Sequence, residues 1–282
     1  MSATACMRWS PGQVQTWKRP EDGGFDPARY GVAAIDEASA KSYVLDRHYS
    51  GSYPAASLRF GLFDQAAGQA EGQALVGAAV LSVPTSRRVL TNVFPGLEPY
   101  AESLELGRFV LDDEVPANAE SWFLGQCFRL AAEAGVRGVV SFSDPLPRTR
   151  PDGSVIMPGH VGTIYQATNA TYTGRATPRT LTLLRDGTVF SPRAQQKIRA
   201  QDQGHEYAER QLVSLGAPVR RAGETPAAWL NRALAEVGRQ VRHHGNHRYA
   251  FAIGTKSQRR AVTVALPGRS YPKTADAQEL AA

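Results

Sequence analysis

Apolar and polar positions change period several times along the chain, and each change marks an element. Residues 1–30 show no periodicity and read as a loose lead-in. An apolar run, 31–35, is followed by a helical pattern over 37–46, which stops at Arg47-His48-Tyr49-Ser50-Gly51. The β-prone runs 57–63 and 74–83 predict two paired strands, whereas 85–100 favours neither period. A strand is predicted over 104–111. A helix then starts near Asn118 or Ala119, runs to about Ala134 with Phe123, Cys127, Leu130 and Ala131 on one face, and ends at Gly135. A buried strand at 138–142, a long Pro/Gly-rich loop to Gly159, a short helix at 161–168 and strands at 170–173 and 180–184 complete a strand-helix-strand-helix-strand order. That order predicts an α/β core over residues 31–190.

Beyond Phe190 the pattern becomes helical. Helices are predicted at 192–201, 205–215 and 226–244, the last opened by Thr225 as N-cap with Pro226 in the first turn. A strand at 248–253 and a short element at 256–265 follow. The expected organisation is a loose segment 1–30, a core 31–190, a mostly helical extension 191–273 and a disordered tail 274–282.

Composition narrows the class. A chain of 282 residues that is 42% hydrophobic and 21% charged can bury one sizeable core and a smaller second one. Its two cysteines, Cys6 and Cys127, stand in unrelated contexts, so neither a disulfide framework nor a thiolate metal cage is expected. No apolar run approaches the ~20 residues of a membrane span and the start lacks the order of a signal peptide, so the expectation is a cytoplasmic protein with no membrane partner.

Charge changes the picture more. Residues 191–273 carry 15 Lys and Arg against 5 Asp and Glu, whereas residues 1–190 carry 17 against 19. A segment with a net charge of +10, its basic residues interleaved with Tyr207, Trp229, Tyr249, Phe251 and Tyr271, points to a polyanion such as nucleic acid. A solvated basic face is the plainer alternative.

The chemistry concentrates between Leu104 and Gly174. A strand, a turn lined by Asn118 and Ser121, and a helix N-terminus together form a general anion site, because free N–H groups and the helix dipole converge there. The run Gly162-Thr-Ile-Tyr165-Gln-Ala-Thr-Asn169-Ala-Thr-Tyr172-Thr-Gly174 resembles the late helix and strand of GNAT acyltransferases. More specific is an ordered set: His48-Tyr49-Ser-Gly, Glu105-Leu-Gly-Arg108-Phe, Asn118-Ala-Glu-Ser121, Ser141-Phe-Ser143-Asp144-Pro, Gly159-His160-Val-Gly162 through Asn169, Asn246-His247-Arg248-Tyr249 and Tyr271-Pro-Lys273. This set resembles the Mom family of phage DNA-modification proteins over roughly residues 46–273.

The resemblance implies a GNAT-like mixed central sheet flanked by helices, in an enzyme that converts adenine N6 in DNA to a carbamoylmethyl (acetamido) derivative and so shields phage DNA from restriction. Double-stranded DNA is then the partner and the host cytoplasm the location, and a homodimer stays open. Acetyl-CoA follows as cofactor by fold analogy, with Asn118, Ser121, Tyr165 and Asn169 as its contacts. The usual GNAT pyrophosphate loop is absent, replaced by Val115-Pro-Ala-Asn118-Ala-Glu-Ser121.

Roles follow from side-chain chemistry. Arg108, in an apolar strand, keeps its proton and suits a phosphate, a carboxylate or a developing oxyanion, unless it merely pairs with Glu105 or Asp144. Asp144, at a strand's carboxyl end before a proline, is a candidate to accept a proton from, or bind, the adenine amine; otherwise it caps a turn. Ser121 would touch cofactor and Tyr165 would donate to a leaving thiolate, the alternatives being a residue near the helix cap and a core aromatic. His48, Tyr49 and His160 are candidate ligands of a divalent transition metal such as iron, although their spacing fits no recognised motif. Arg242, His247, Arg248, Arg259 and Arg260 are the candidate DNA contacts, with Arg232 and Arg239 along the same predicted helix. Reaching an adenine amine in duplex DNA calls for base flipping, with Tyr49 or Tyr53 available to stack. Competing assignments are an acetyltransferase of a small amine or a protein, and a non-catalytic DNA-binding protein on the same scaffold.

Overall fold

A computed structural model describes residues 6–9, 15–19, 24–66 and 74–273 of the chain. The expected tail 274–282 lies outside the described residues. The protein is mixed α/β: a seven-stranded central sheet carries helices on both faces.

The sheet is built from β3 (Tyr30–Ala34), β4 (Ala56–Asp64), β5 (Ala74–Ser82), β6 (Ser103–Leu111), β7 (Gly138–Ser143), β10 (Thr171–Arg175) and β13 (His247–Ala252). Their spatial order is β10-β13-β7-β6-β5-β4-β3. Only β6 and β7 run parallel, joined by the crossover helix α3 (Ala119–Glu133). That parallel pairing extends from Ser103↔Gly138 to Leu106↔Ser141 and stops. Beyond it, β6 continues to pair only with β5, and Phe142 and Ser143 of β7 pair only with β13. The sheet therefore splits between Gly107 and Phe142, at the carboxyl ends of the parallel pair, where open α/β sheets bind ligands.

Packing explains the layers. α3 has Phe123, Leu124, Cys127 and Ala131 fully buried against Leu104, Leu106 and Val139, each large side chain contributing ~2 kcal/mol of burial. On the opposite face α1 (Glu37–Arg47), capped by Asp36, buries Tyr43 and Val44 over Ala78, Val80 and Val110. A short helix, α2 (Arg88–Thr91), occupies the ambiguous stretch and brings Leu90 against Val140 and Ala250.

One irregularity in β6 matters for the site. Pairing with β5 runs Ser82↔Glu105, Leu81↔Leu106 and Val80↔Arg108, so Gly107 is an extra residue, a β-bulge. A Cβ at Gly107 would lie 2.4 Å from Ser82 Oγ and 3.2 Å from Pro54 Cγ, which explains the glycine. After the bulge, Arg108 leaves the α3 face that strict alternation from Leu104 and Leu106 would give it and joins the α1 face.

Several expectations need correcting. The stretch 1–30 is not merely a loose lead-in: β1 (Cys6–Trp9) and β2 (Gln15–Lys18) form an antiparallel hairpin, and Arg8 is buried against Glu120. The helix expected over 226–244 ends early. α7 (Pro226–Val237) stops at Gly238, where a Cβ would sit 2.9 Å from Leu234 O, and the chain continues as strand β12 (Gly238–His243) beside β11 (Arg179–Leu184). Nor is 191–273 one helical extension. α5 (Pro192–Ala200), α6 (His205–Ser214) and α7 enclose a separate small core around Ile198, Leu212 and Trp229. The following β13 then returns into the central sheet, before the final helix α8 (Lys256–Ala261).

Candidate active site

The split between β6 and β7 gathers groups from five segments. The residues after α1 supply His48 and Tyr49; β6 supplies Glu105 and Arg108; the end of β7 supplies Ser141 and Asp144; the loop before α4 (Thr163–Ala167) supplies His160; and α4 itself supplies Tyr165. Tyr49 ties the set together. Its hydroxyl lies 3.2 Å from His160 Nε2, and its ring packs against His48 with centroids 4.2 Å apart and planes tilted by 30°. Burial raises the Tyr49 pKa, and so do the nearby Tyr165 and Asp144, while Arg108 opposes them. Arg108 on β6 and Asp144 just past β7 thus both lie within electrostatic reach of Tyr49, and each is hydrogen-bonded to other partners.

Arg108 is held by neutral acceptors. Nε donates to Ser52 O (2.9 Å), one terminal nitrogen donates to Ser52 Oγ (2.7 Å) and the other to Gly107 O. Burial lowers its pKa, opposed by Tyr49, Glu105 and Tyr165, but a guanidinium stays charged. A cation satisfied by carbonyl and hydroxyl oxygens retains the capacity to attract an anionic ligand. Glu105, on the same strand face, has its carboxyl pKa raised by burial, with Arg108 pulling the other way.

Asp144 lies just past the carboxyl end of β7, as its sequence context predicts, but its carboxylate is already committed to other partners. Oδ1 accepts from His243 Nε2 (2.9 Å) and Leu146 N (3.0 Å), and Oδ2 from Arg148 (3.0 Å). Burial pushes this carboxyl up, but the His243 hydrogen bond, the Arg148 charge and the Leu146 N–H prevail and hold it well below the usual range. A carboxylate so saturated is a poor proton acceptor, and its geometry is that of a turn cap and cross-link. Its carbonyl oxygen accepts from His160 N (2.8 Å), which fixes the loop carrying that imidazole.

The two histidines are neutral at physiological pH. Burial lowers His48 to about 3, helped by Arg108 and His160, and lowers His160 to about 4 against the pull of Asp144. His48 Nδ1 accepts from Ser50 N (3.1 Å) and lies 2.9 Å from Ser50 Oγ. Among the described residues no group of three or more His, Cys, Asp or Glu is placed to hold a metal ion. The expected iron site at His48, Tyr49 and His160 is thus unsupported: one His48 nitrogen is engaged with Ser50, and His160 faces a phenol.

At the turn into α3, Asn118 is exposed in the left-handed conformation (φ 72°), and Ser121 Oγ donates to Asn118 O (3.2 Å). Tyr165 is buried over the split, its pKa raised by burial, with the nearby Ser141 hydroxyl opposing the rise. Asn169 (φ 60°) is exposed just past the end of α4. Asn118 and Ser121 thus lie at the start of α3, whereas Tyr165 lies on α4.

The DNA candidates divide. Arg242, Arg259 and Arg260 are exposed. His247 is buried on β13 with Nδ1 2.8 Å from the Tyr172 hydroxyl, and Arg248 spans to Thr173 Oγ1 (2.9 Å). His247 therefore belongs to the core, because its strand is internal to the sheet. Arg232 is locked to Glu224 by two hydrogen bonds, 2.9 and 2.6 Å. Sequence patterns did not single out Ser52, Arg148 or His243 for these contacts; the i,i+4 spacing of Asp144 and Arg148 is the one local signal.

Residues 29–273 match the Mom protein family. The chain belongs to that family. No curated protein matches the sequence. Among solved structures, a proposed phosphinothricin N-acetyltransferase (6% identity, 80% of this chain and 99% of that one covered) has a TM-score of 0.33. A tandem GNAT protein from the clavulanic acid biosynthesis pathway, solved without acetyl-CoA, has 12% identity, coverage of 80% and 75%, and the same TM-score of 0.33. Similarity at that level bears on neither fold nor activity. In this Mom-family chain, no helix among the described residues is long and apolar enough to cross a membrane.

Proposed function

We propose that this Mom-family protein is a transferase that modifies adenine N6 in double-stranded DNA to a carbamoylmethyl derivative, protecting phage DNA from restriction. The observation that carries the proposal is the convergence of Arg108, Tyr49, His160 and Tyr165 on the split between β6 and β7.

Arg108 would bind the developing negative charge or an anionic group of the donor, since its present acceptors are neutral. The Tyr49–His160 pair, a phenol 3.2 Å from the Nε2 of a neutral imidazole, offers hydrogen-bonding groups that would orient an exocyclic amine. Tyr165, whose raised pKa keeps it protonated, is the donor available to a leaving group. Asp144 positions His160 and does not itself react.

An anionic cofactor would be sought at the turn into α3, because a fifteen-residue helix begins there and Asn118 adopts the left-handed backbone that turns the chain. Acetyl-CoA would be held by the backbone at Asn118 and Ser121 with Tyr165 alongside; it would supply the two carbons of the group, while the amide nitrogen and the two-electron oxidation needed to join the methyl carbon to N6 would have to come from further co-reactants. Exposed Arg242, Arg259 and Arg260 supply phosphate contacts.

Mass spectrometry of nucleosides from cells expressing the protein tests the proposal. A modified deoxyadenosine is expected. Unmodified DNA with folded protein present would overturn it, and acetylation of a small amine or protein by purified enzyme would favour an ordinary acetyltransferase.

A further inference from the structure

Residues 153–185 and 237–273 contain no Asp or Glu; β10 comes from the first stretch and β13 from the second. The two strands pair at one end of the central sheet, so neither strand of that edge carries a carboxylate. Their register runs Tyr172↔Tyr249 and Arg175↔His247, which leaves Thr173 and Gly174 both opposite Arg248. Arg248 Nε donates to Thr173 Oγ1 (2.9 Å), and a terminal nitrogen donates to Thr173 O (3.3 Å). Arg269 arrives from outside the sheet. Its N donates to Tyr172 O (2.8 Å), and its side chain crosses the bulge at Gly174, where a Cβ would lie 3.2 Å from Arg269 Cδ and Nε.

We propose that Arg248 and Arg269 form a clamp for a phosphate of the DNA strand that enters the split. The clamp rests on the reading of this protein as a DNA-modifying enzyme and adds a binding site to it. Burial lowers the Arg248 pKa, Tyr172 opposes the shift and the charge of Arg269 lowers it further, so the two guanidiniums sit close enough to repel. Among the described residues neither has an acidic partner: Arg248 donates to neutral Thr173, and the exposed Arg269 side chain makes no hydrogen bond or salt bridge. Two cations converging without a counter-ion favour an anion between them, and the forked donors of arginine match phosphate oxygens. The place suits a nucleotide. Alternation puts Arg248 on the Ala250 side of β13, the sheet face away from α3 and shared with Arg108. Its neighbour on β7 is Phe142, at the split itself. A phosphate over β13 and β10 therefore lies one to two strand spacings, about 5–10 Å, from β7, whereas α3, where the cofactor is sought, covers the opposite face.

The test compares the full-length protein with Arg269→Ala, Arg248→Ala and the double variant. It measures binding of a labelled DNA duplex across a salt series, acetyl-CoA titration and thermal unfolding. Arg269→Ala should leave thermal unfolding and acetyl-CoA affinity unchanged, because the side chain has no internal partner, and should weaken duplex binding about tenfold. Arg269→Glu should weaken it further. The slope of log K against log salt should flatten by up to about 0.9 in Arg269→Ala, the value for one phosphate. Because both arginines hold the same phosphate, the double variant should also flatten it by no more than about 0.9. Duplex affinity and slope unchanged in Arg269→Ala would overturn the clamp and leave the DNA-modifying reading standing. Slope losses that add in the double variant would assign the two residues to separate contacts, and loss of acetyl-CoA affinity in place of duplex affinity would assign them to the cofactor; either overturns the clamp. Absence of duplex binding by the unsubstituted protein would remove both the clamp and the reading it rests on.

Discussion

Glu105 and Arg108 share one face of β6 although they are three residues apart, because Gly107 bulges out between them. In a regular strand that spacing would put them on opposite faces. The bulge carries Arg108 to Ser52 and the loop holding His48 and Tyr49, and keeps Glu105 within electrostatic reach of the guanidinium. Gly107→Ala should therefore be costly, since the new Cβ meets Ser82 Oγ at 2.4 Å. We expect a loss of about 1–3 kcal/mol in chemical denaturation, with modification reduced further than the folded fraction accounts for.

Arg108→Ala should lower turnover by about 10²–10³-fold, the usual cost of removing one donor to a developing charge. DNA affinity should stay within about twofold, because the exposed basic residues lie elsewhere. Turnover and DNA binding falling by the same factor would make Arg108 a structural residue.

Asp144 and His243, 99 residues apart, are joined at 2.9 Å, with Arg148 completing the node. Since Gly245 N donates to His243 Nδ1 (3.0 Å), the ring's other nitrogen donates to Asp144. Asp144→Asn should cost about 3 kcal/mol at neutral pH by leaving Arg148 buried without its charge partner. The sign of the pH effect follows from the depressed folded pKa. The stabilisation is complete above the unfolded carboxyl value of about 4 and is lost as pH falls below it. Denaturation series should show the unsubstituted protein losing stability faster than Asp144→Asn between about pH 4 and 2; parallel curves would contradict the assignment.

Legibility differed between segments for physical reasons. The β6–α3–β7 crossover was readable because buried runs, a glycine stop after the helix and a 3.6-residue period all agree there. The β12 strand was missed because Pro226 to His244 keeps a helical polar–apolar pattern through the real helix end, and only the packing of Val241 beside Leu181 and Leu183 decides for a strand. Arg108 and Tyr165 were legible as polar groups in apolar elements. The commitment of Asp144 was not, since His243 arrives from a distant strand. Arg8 was invisible for the same reason: its partners lie 104 or more residues away.

Tyr49→Phe and Tyr165→Phe separate two roles within the proposed site. Loss of the Tyr49 hydroxyl removes its 3.2 Å contact with His160 and should depress turnover at saturating DNA with little change in acetyl-CoA affinity. Loss of the Tyr165 hydroxyl should slow the step that releases the donor's leaving group by about 10²–10⁴-fold, the range for a positioned proton donor. Rapid-quench measurements distinguish the two. If both substitutions leave single-turnover rates unchanged, the hydroxyls serve packing.

Exposed Arg259 and Arg260 in the last turn of α8 give the sharpest test of the basic surface. Each phosphate contact adds about 0.9 to the slope of log K against log salt. Replacing both by Ala should weaken binding for all duplex sequences and flatten that slope by roughly two at most. Arg232→Ala is the matched control: its guanidinium already belongs to Glu224, so the slope should hold while stability falls. A double variant that keeps the full slope would exclude α8 from the DNA backbone and shift attention to Arg242 on β12.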